Sequence, residues 1–276
     1  MRLTEPRTAE GERGLTAVLA DPARAVVAVD FDGTLSPIVE RPESARPAEG
    51  AVDALAALAV SVGRLAVVTG RGAEDVVRLG GLDRVPGLRV LGHYGLEEWV
   101  DGVLTSPAPS PAVDEVRRRL PDLLADAPDG VHVEDKQHSV VVHTRPAADP
   151  AAALAALAPR LQALAEEVGL ETVPGRFVVE LRPSGVDKGA ALQRLVASYD
   201  ARSVVYVGDD LGDLAAFDMV ESLRTDGAVP GLTVASVDPA LGDSPRELAE
   251  RADLVLAGPH AVVEWLTALA AALNGW

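Results

Sequence analysis

Residues 25–35 read AVVAVDFDGTL: five small apolar residues, three of them β-branched, followed by an acidic turn. A run such as Ala25–Val29, apolar without alternation, is how a strand buried on both faces of a parallel sheet reads. In open α/β sheets ligands bind beyond the carboxyl ends of the strands. Asp30 and Asp32 are therefore expected to project into a cleft, on a turn that Gly33 makes possible. Working outward, Gly50–Val62 carries Val52, Leu55, Leu58 and Ala59 at helical spacing. Leu65–Val68 is a second buried strand ending at Thr69, a helix covers about Ala73–Leu79, and Leu88–Leu91 is a third strand. This βαβαβ alternation predicts an α/β fold with a doubly wound, Rossmann-like parallel sheet.

The alternation breaks at Ser106–Pro111 (SPAPSP), a Pro-rich stretch of the kind found at domain boundaries. After one polar helix come two strands, Val131–Glu134 and Val140–Thr144. A long helix over Pro150–Val168 and strands at Leu170–Val173 and Phe177–Leu181 follow. The ββαββ order predicts a small antiparallel sheet with helices on one face, an α+β cap inserted into the first domain. From Pro183 the first pattern resumes: a helix over about Lys188–Tyr199, a strand at Ser203–Val207, a helix at Leu211–Val220, strands at Leu232–Ala235 and Leu254–Leu256, and a terminal helix. The expected boundaries are a core over 13–108 and 183–276, a cap over 109–182, and a flexible polar segment over 1–12.

Four segments carry candidate chemistry. Asp30 and Asp32, two residues apart after a strand, can divide a phosphoryl transfer, with Asp30 as nucleophile and Asp32 as acid and base. Thr69-Gly70-Arg71 offers a hydroxyl and backbone N–H groups at a strand-to-helix turn, the makings of a phosphate cradle. Lys188, at a helix start just after the insert, can neutralise charge on a phosphoryl oxygen. Gly208-Asp209-Asp210-Leu211-Gly212-Asp213 supplies hard oxygen ligands suited to Mg²⁺, Asp209 directly and Asp213 one helical turn on. Taken singly, these could be a capped turn, a common Thr-Gly turn, a solvated lysine and an acidic helix cap. Acidic clusters at two strand ends would, however, repel each other without a cation between them.

The net charge of −17 argues against nucleic acid or an anionic membrane as a partner. An anionic substrate must then be held by a metal or a few placed cations. The chain has no cysteine, which excludes disulfides, thiolate catalysis and cysteine metal sites. A cytoplasmic location fits. Arg2, Glu5, Arg7, Glu10, Glu12 and Arg13 stand where a signal peptide would be apolar, and no apolar run reaches membrane-spanning length.

In this order the four segments resemble the haloacid dehalogenase superfamily. That resemblance implies Asp30 as nucleophile, Asp32 as general acid and base, Thr69 and Lys188 on the phosphoryl group, and Mg²⁺ on Asp30, Asp209, Asp213 and the Asp32 main-chain carbonyl. Gly33, Gly70 and Arg71 would line the phosphate site. Three further segments are similar to the trehalose-6-phosphate phosphatase family: Gly92-His93-Tyr94-Gly95-Leu96-Glu97; Val133-Glu134-Asp135-Lys136 with Ser139 and His143-Thr144-Arg145; and Glu180-Leu181-Arg182-Pro183 before Asp187-Lys188-Gly189. The resemblance implies hydrolysis of trehalose 6-phosphate through an aspartyl phosphate, with His93, Tyr94, Glu134, Lys136, Arg145 and Glu180 contacting the sugar phosphate. It also suggests a monomer coupled functionally to a trehalose-phosphate synthase. One departure stands out: Gly212, Leu214 and Ala215 replace the family's usual Thr, Glu and final Asp of Gly-Asp-Asp-x-Thr-Asp-Glu-Asp. Two alternatives stay open, a phosphatase of another sugar phosphate (sucrose phosphate, or the glucosyl- or mannosyl-glycerate phosphate type) and an inactive sugar-phosphate sensor.

Overall fold

The structure is a computed structural model that describes residues 3–227, 229–239 and 246–275. The chain divides into two compact units, Met1–Ser106 with Asp187–Trp276, and Pro107–Val186. In chain order the first unit opens with α1 (Ala9–Ala20), β1 (Ala25–Val29), α2 (Ala51–Ala59), β2 (Arg64–Val68) and α3 (Ala73–Gly80), then β3 (Arg89–Gly92), β4 (Glu97–Val100) and β5 (Val103–Thr105). The second unit holds α4 (Pro111–Leu123), β6 (His132–Asp135), β7 (Val140–His143), α5 (Pro150–Val168), β8 (Leu170–Gly175) and β9 (Val178–Pro183). The first unit then resumes with α6 (Lys188–Tyr199), β10 (Ser203–Gly208), α7 (Leu214–Thr225), β11 (Gly231–Ser236), α8 (Arg246–Arg251), β12 (Leu254–Leu256) and α9 (Gly258–Leu273).

The large sheet has the order β12-β11-β10-β1-β2-β3-β4-β5, parallel from β12 to β3 and antiparallel thereafter. Every residue of β1 is buried, as its unbroken apolar run requires. Its side chains alternate between two cores. Val27 and Val29 pack with residues of α1, α2, α3 and α9, while Val26 and Ala28 pack with residues of α6, α7 and α8. Helices thus cover both faces, which is the doubly wound arrangement. Because β1 has β2 on one side and β10 on the other, the strand order reverses at β1, and the crevice beyond its carboxyl end is where ligands bind in such sheets.

Two features depart from the sequence reading. The expected flexible segment over 1–12 is ordered from Leu3 onward within the described residues. Thr8 caps α1 by accepting from the Gly11 amide at 3.0 Å, and the Arg7 amide donates to the Asp253 carbonyl at 2.7 Å. Residues 97–105, given no element, form the β4–β5 hairpin. Its turn is Asp101-Gly102, both left-handed (φ 47° and 86°), the geometry that a two-residue hairpin loop demands.

In the second unit, β6-β7-β9-β8 form an antiparallel sheet. Val140, Val142, Val179 and Leu181 turn one face onto α4 and α5. By strand alternation, Glu134, Val141, Glu180 and Val173, paired in one cross-strand row, lie on the other face.

Candidate active site

β1, β2 and β10 end side by side, and each delivers polar residues to the same edge. Asp30 follows β1 with its amide donating to the Val207 carbonyl of β10 at 2.9 Å, and only 4% of its surface is exposed. Asp187 caps α6 by accepting from the Ala190 amide at 2.7 Å, which sets Lys188 on the first turn, buried. The Lys188 ammonium lies 3.0 Å from Asp30 Oδ1 and 2.7 Å from Asp213 Oδ1. Gly33 has φ 74°, and any side chain there would drive into the Asp209 carboxylate. The Thr34 hydroxyl donates to Asp209 Oδ1 at 3.2 Å.

Oxygens of Asp30, Asp209 and Asp213 lie within 4.8 Å of one another. The residues present suit a hard divalent cation. Burial, followed by the neighbouring carboxylates of Asp213 and Asp210, pushes Asp209 up to about 8. Burial likewise holds Asp30 well above the usual carboxylate range, and Lys188 offsets only part of this. A cation beside these oxygens removes the repulsion that raises them. Burial alone would lower the Lys188 ammonium, but Asp213 and Asp30 outweigh it and hold it well above the ordinary lysine value.

Asp213 has a different station from the one its sequence position suggested. Its Oδ1 accepts from Lys188 and from the Tyr206 hydroxyl at 2.6 Å, and its Oδ2 accepts from the amides of Asp209 and Asp210 at 2.9 and 3.1 Å. Four accepted bonds fill a carboxylate's usual capacity, so Asp213 fixes the acidic loop and Lys188 rather than offering an open oxygen. Burial tends to raise it, but Lys188 and these donors hold it below the ordinary value. Asp210 completes a capping box with Asp213 and accepts from the Gly212 amide at 2.8 Å, so the turn closes without the family's usual threonine. Tyr206 was not singled out in the sequence. Its signal is a lone aromatic among the valines of the strand Ser203–Val207, three residues before Asp209.

Thr69 is buried at the end of β2, its hydroxyl accepting from the Arg71 amide at 3.2 Å. A left-handed pair, His93 (φ 46°) and Tyr94 (φ 58°), clamps this loop. The His93 amide donates to the Arg71 carbonyl at 2.8 Å and the Tyr94 amide to the Thr69 carbonyl at 2.9 Å. Backbone in this region costs on the order of 1–3 kcal/mol per non-glycine residue and persists where the surroundings enforce it. Tyr94 also packs over Gly70, where a side chain would strike its ring. Glu97, unassigned in the sequence, is buried and accepts from the Ala73 amide at 2.8 Å, fixing the start of α3. Arg71 was read as a phosphate ligand, but its fork is taken by Asp32, with Nε on Oδ2 at 2.6 Å and Nη2 on Oδ1 at 2.7 Å. Its Nη1 donates to the Pro42 carbonyl at 2.8 Å.

Within the second unit, Glu134 is exposed and accepts from His143 Nε2 at 2.8 Å. Glu180 is buried and accepts from the Ser139 hydroxyl at 2.5 Å. Lys136 lies one residue beyond β6, with its amide bonded to the Ser139 carbonyl at 3.0 Å, and Arg145 is exposed past β7.

Comparison with known proteins bears on the same residues. A family model described as trehalose-phosphatase matches residues 28–240. A trehalose-phosphate phosphatase of Mycobacterium marinum is 37% identical over 215 residues, 71% of this chain and 52% of that protein. One of Mycobacterium leprae is 36% identical over 245 residues, 83% of this chain and 55% of that protein. An uncharacterized glycosyl hydrolase of Mycobacterium tuberculosis is 39% identical over 216 residues, 71% of this chain but only 15% of its own length. The chain thus spans about half, or less, of these curated relatives. The C-terminal domain of the Candida albicans trehalose-6-phosphate phosphatase shares the fold, with a TM-score of 0.73 at 22% identity over 98% of this chain and 99% of that one. With the family model covering most of its length, the chain belongs to the trehalose-phosphatase family.

Proposed function

We propose that this chain hydrolyses trehalose 6-phosphate to trehalose and phosphate. The observation that carries the chemistry is the buried triad of Asp30, Lys188 and Asp213, in which one lysine serves two carboxylates at 3.0 and 2.7 Å. The arrangement holds a carboxylate oxygen of Asp30 at the cleft beside a fixed positive charge. Asp30 attacks phosphorus, forming its O–P bond as the bond from phosphorus to the sugar oxygen breaks, and Asp32 gives that oxygen a proton. In the second step water attacks the aspartyl phosphate, Asp32 takes the water's proton, and Asp30 is released. In this structure Arg71 donates one hydrogen bond to each Asp32 oxygen, which leaves a further lone-pair site on each for the proton that Asp32 carries. Asp30 and Asp209 would hold Mg²⁺, with the Asp32 main-chain carbonyl as a further ligand. The ion would neutralise charge on the transferring phosphoryl group.

The cap reading, with Glu134, Lys136, Arg145 and Glu180 meeting the sugar, rests on two acidic groups in one cross-strand row facing away from the cap's own helices. Charged acceptors on a rigid sheet bind hydroxyls well. Among the described residues no helix is long and apolar enough to cross a membrane. The test is phosphate release from trehalose 6-phosphate, glucose 6-phosphate and sucrose 6-phosphate, with and without Mg²⁺. Metal-dependent release favouring trehalose 6-phosphate is expected. A clear preference for another sugar overturns the substrate, and release from none overturns the enzyme.

A further inference from the structure

A second cationic feature lies outside the aspartate cluster. The loop before α2, the first turn of α2 and the end of α3 border an open surface depression of about 440 Å³ lined in part by Arg46, Arg78 and Arg84. Three exposed arginines border it in a chain carrying 42 acidic residues against 25 basic ones. Among the described residues, neither Arg46 nor Arg84 pairs with a carboxylate. Arg46 donates only to the carbonyls of Glu43 and Ala45, and Arg84 only to that of Gly81. Arg78 is the exception, paired with Asp75 at 2.6 Å on the exposed surface. Like charges gathered without counterions repel, and in so acidic a chain their natural partners are plentiful.

The backbone adds to the field. Gly50 and Gly81 line the depression with left-handed φ of 82° and 60°, so no side chain fills it at either point. Helix α2 presents its N-terminal end there, without a side-chain cap, and that end carries partial positive charge. The only acidic residue in the lining is Asp53. The volume lies within the range of small-ligand pockets, roughly 300–1,000 Å³.

We propose that this depression is a binding site for a small, multiply charged phosphate compound, separate from the catalytic cleft. Arginine forks match phosphate oxygens two at a time, and unpaired arginines give up no existing ion pair to do so.

The test is titration of the ¹⁵N-labelled full chain with inorganic pyrophosphate, in EDTA and without substrate, followed by amide NMR shifts. No turnover is involved, so the outcome is independent of the phosphatase reading. Saturable shifts at Ala51–Asp53 and Gly81 are expected. The exposed double variant Arg46→Gln, Arg84→Gln should weaken binding about a hundredfold, taking about tenfold for each charged hydrogen-bonding group lost. Asp53→Asn, which removes the one negative charge, should tighten binding about threefold by the reverse argument. Shifts confined to Thr69 and Lys188, or an affinity unchanged in both variants, would overturn the proposal.

Discussion

Replacing Lys188 by methionine keeps the length of the side chain and removes one buried charge. In the wild type that charge lies 2.7 Å from Asp213 and 3.0 Å from Asp30, with all three groups buried. Breaking one partner of a buried ion pair costs about 3–5 kcal/mol, because the remaining charge is left without compensation. At about 2–4 °C per kcal/mol for a chain of this size, the melting temperature should fall by about 6–20 °C in EDTA at pH 8. The dependence on pH carries the reasoning further. Asp213 is held below the ordinary carboxylate value in the wild type: burial raises it, and Lys188 more than reverses this. Its stabilising contribution is therefore complete above the unfolded value of 3.8 and constant between pH 6 and 8. In the variant the carboxyl loses its cation and rises, so its folded form is favoured at low pH and penalised as pH rises through the new value. The deficit should thus shrink toward pH 6, by up to about 1.4 kcal/mol for each pH unit below that value. The assay is thermal unfolding of both proteins in EDTA at pH 6, 7 and 8. A deficit under about 3 °C at pH 8, or one that grows toward pH 6, would refute the account.

Four further outcomes follow from the geometry. Asp30→Asn should abolish phosphate release while leaving the circular dichroism spectrum unchanged; substantial residual turnover would remove Asp30 from the nucleophile role. Since Asp209 is raised to about 8, ion binding must displace its proton at lower pH, so Mg²⁺ affinity should fall by up to tenfold per unit below pH 8. Calorimetry in buffers of different ionisation enthalpy would show that proton release, and its absence at pH 6 would count against Asp209 as ligand. Arg71→Lys keeps the charge but loses the two-point grip on Asp32 and the tie to Pro42, so kcat should drop about tenfold or more with KM little changed. A change confined to KM would return Arg71 to the phosphate. Glu134→Ala should raise KM for trehalose 6-phosphate and spare p-nitrophenyl phosphate, and equal losses on both would take Glu134 out of sugar recognition.

The parts of the fold legible in the sequence are those where one physical demand writes one pattern. β1, β2 and β10 are buried on both faces, so they read as unbroken apolar runs, and the first polar residue after each marks the site edge. The inserted ββαββ unit was visible because a Pro-rich stretch at Ser106–Pro111 breaks the α/β alternation and short strand-like runs flank one long Ala/Leu helix. The β4–β5 hairpin escaped because Glu97-Glu98-Trp99-Val100 is short and half polar, although Asp101-Gly102 was a usable turn signal. The N-terminal helix escaped because its polar residues suggested a loose tail. What holds it, the Asp253 carbonyl and side chain, lies more than 240 residues along the chain. The same limit governs the site. Arg71 follows a Thr-Gly turn and reads locally as a phosphate ligand. Its pairing with Asp32 and Pro42 depends on how two strand ends are brought together, which no local pattern records. The spacing singled out Asp213 as a metal ligand, but its four donors include Tyr206 and Lys188, whose convergence only the packed sheet reveals.

The place of β1 in the sheet has a consequence for how the protein is made. β1 pairs with β2, which follows soon after it, and with β10, which begins at Ser203, after the whole second unit has been synthesised. Until then a nascent chain carries an all-apolar strand with one edge open, the kind of surface that invites pairing with another chain. It also carries Asp30 without Lys188. A ribosome stalled between the two would display a strand that is sticky yet chemically inert, so protection of that edge by a chaperone matters most during this one interval of synthesis.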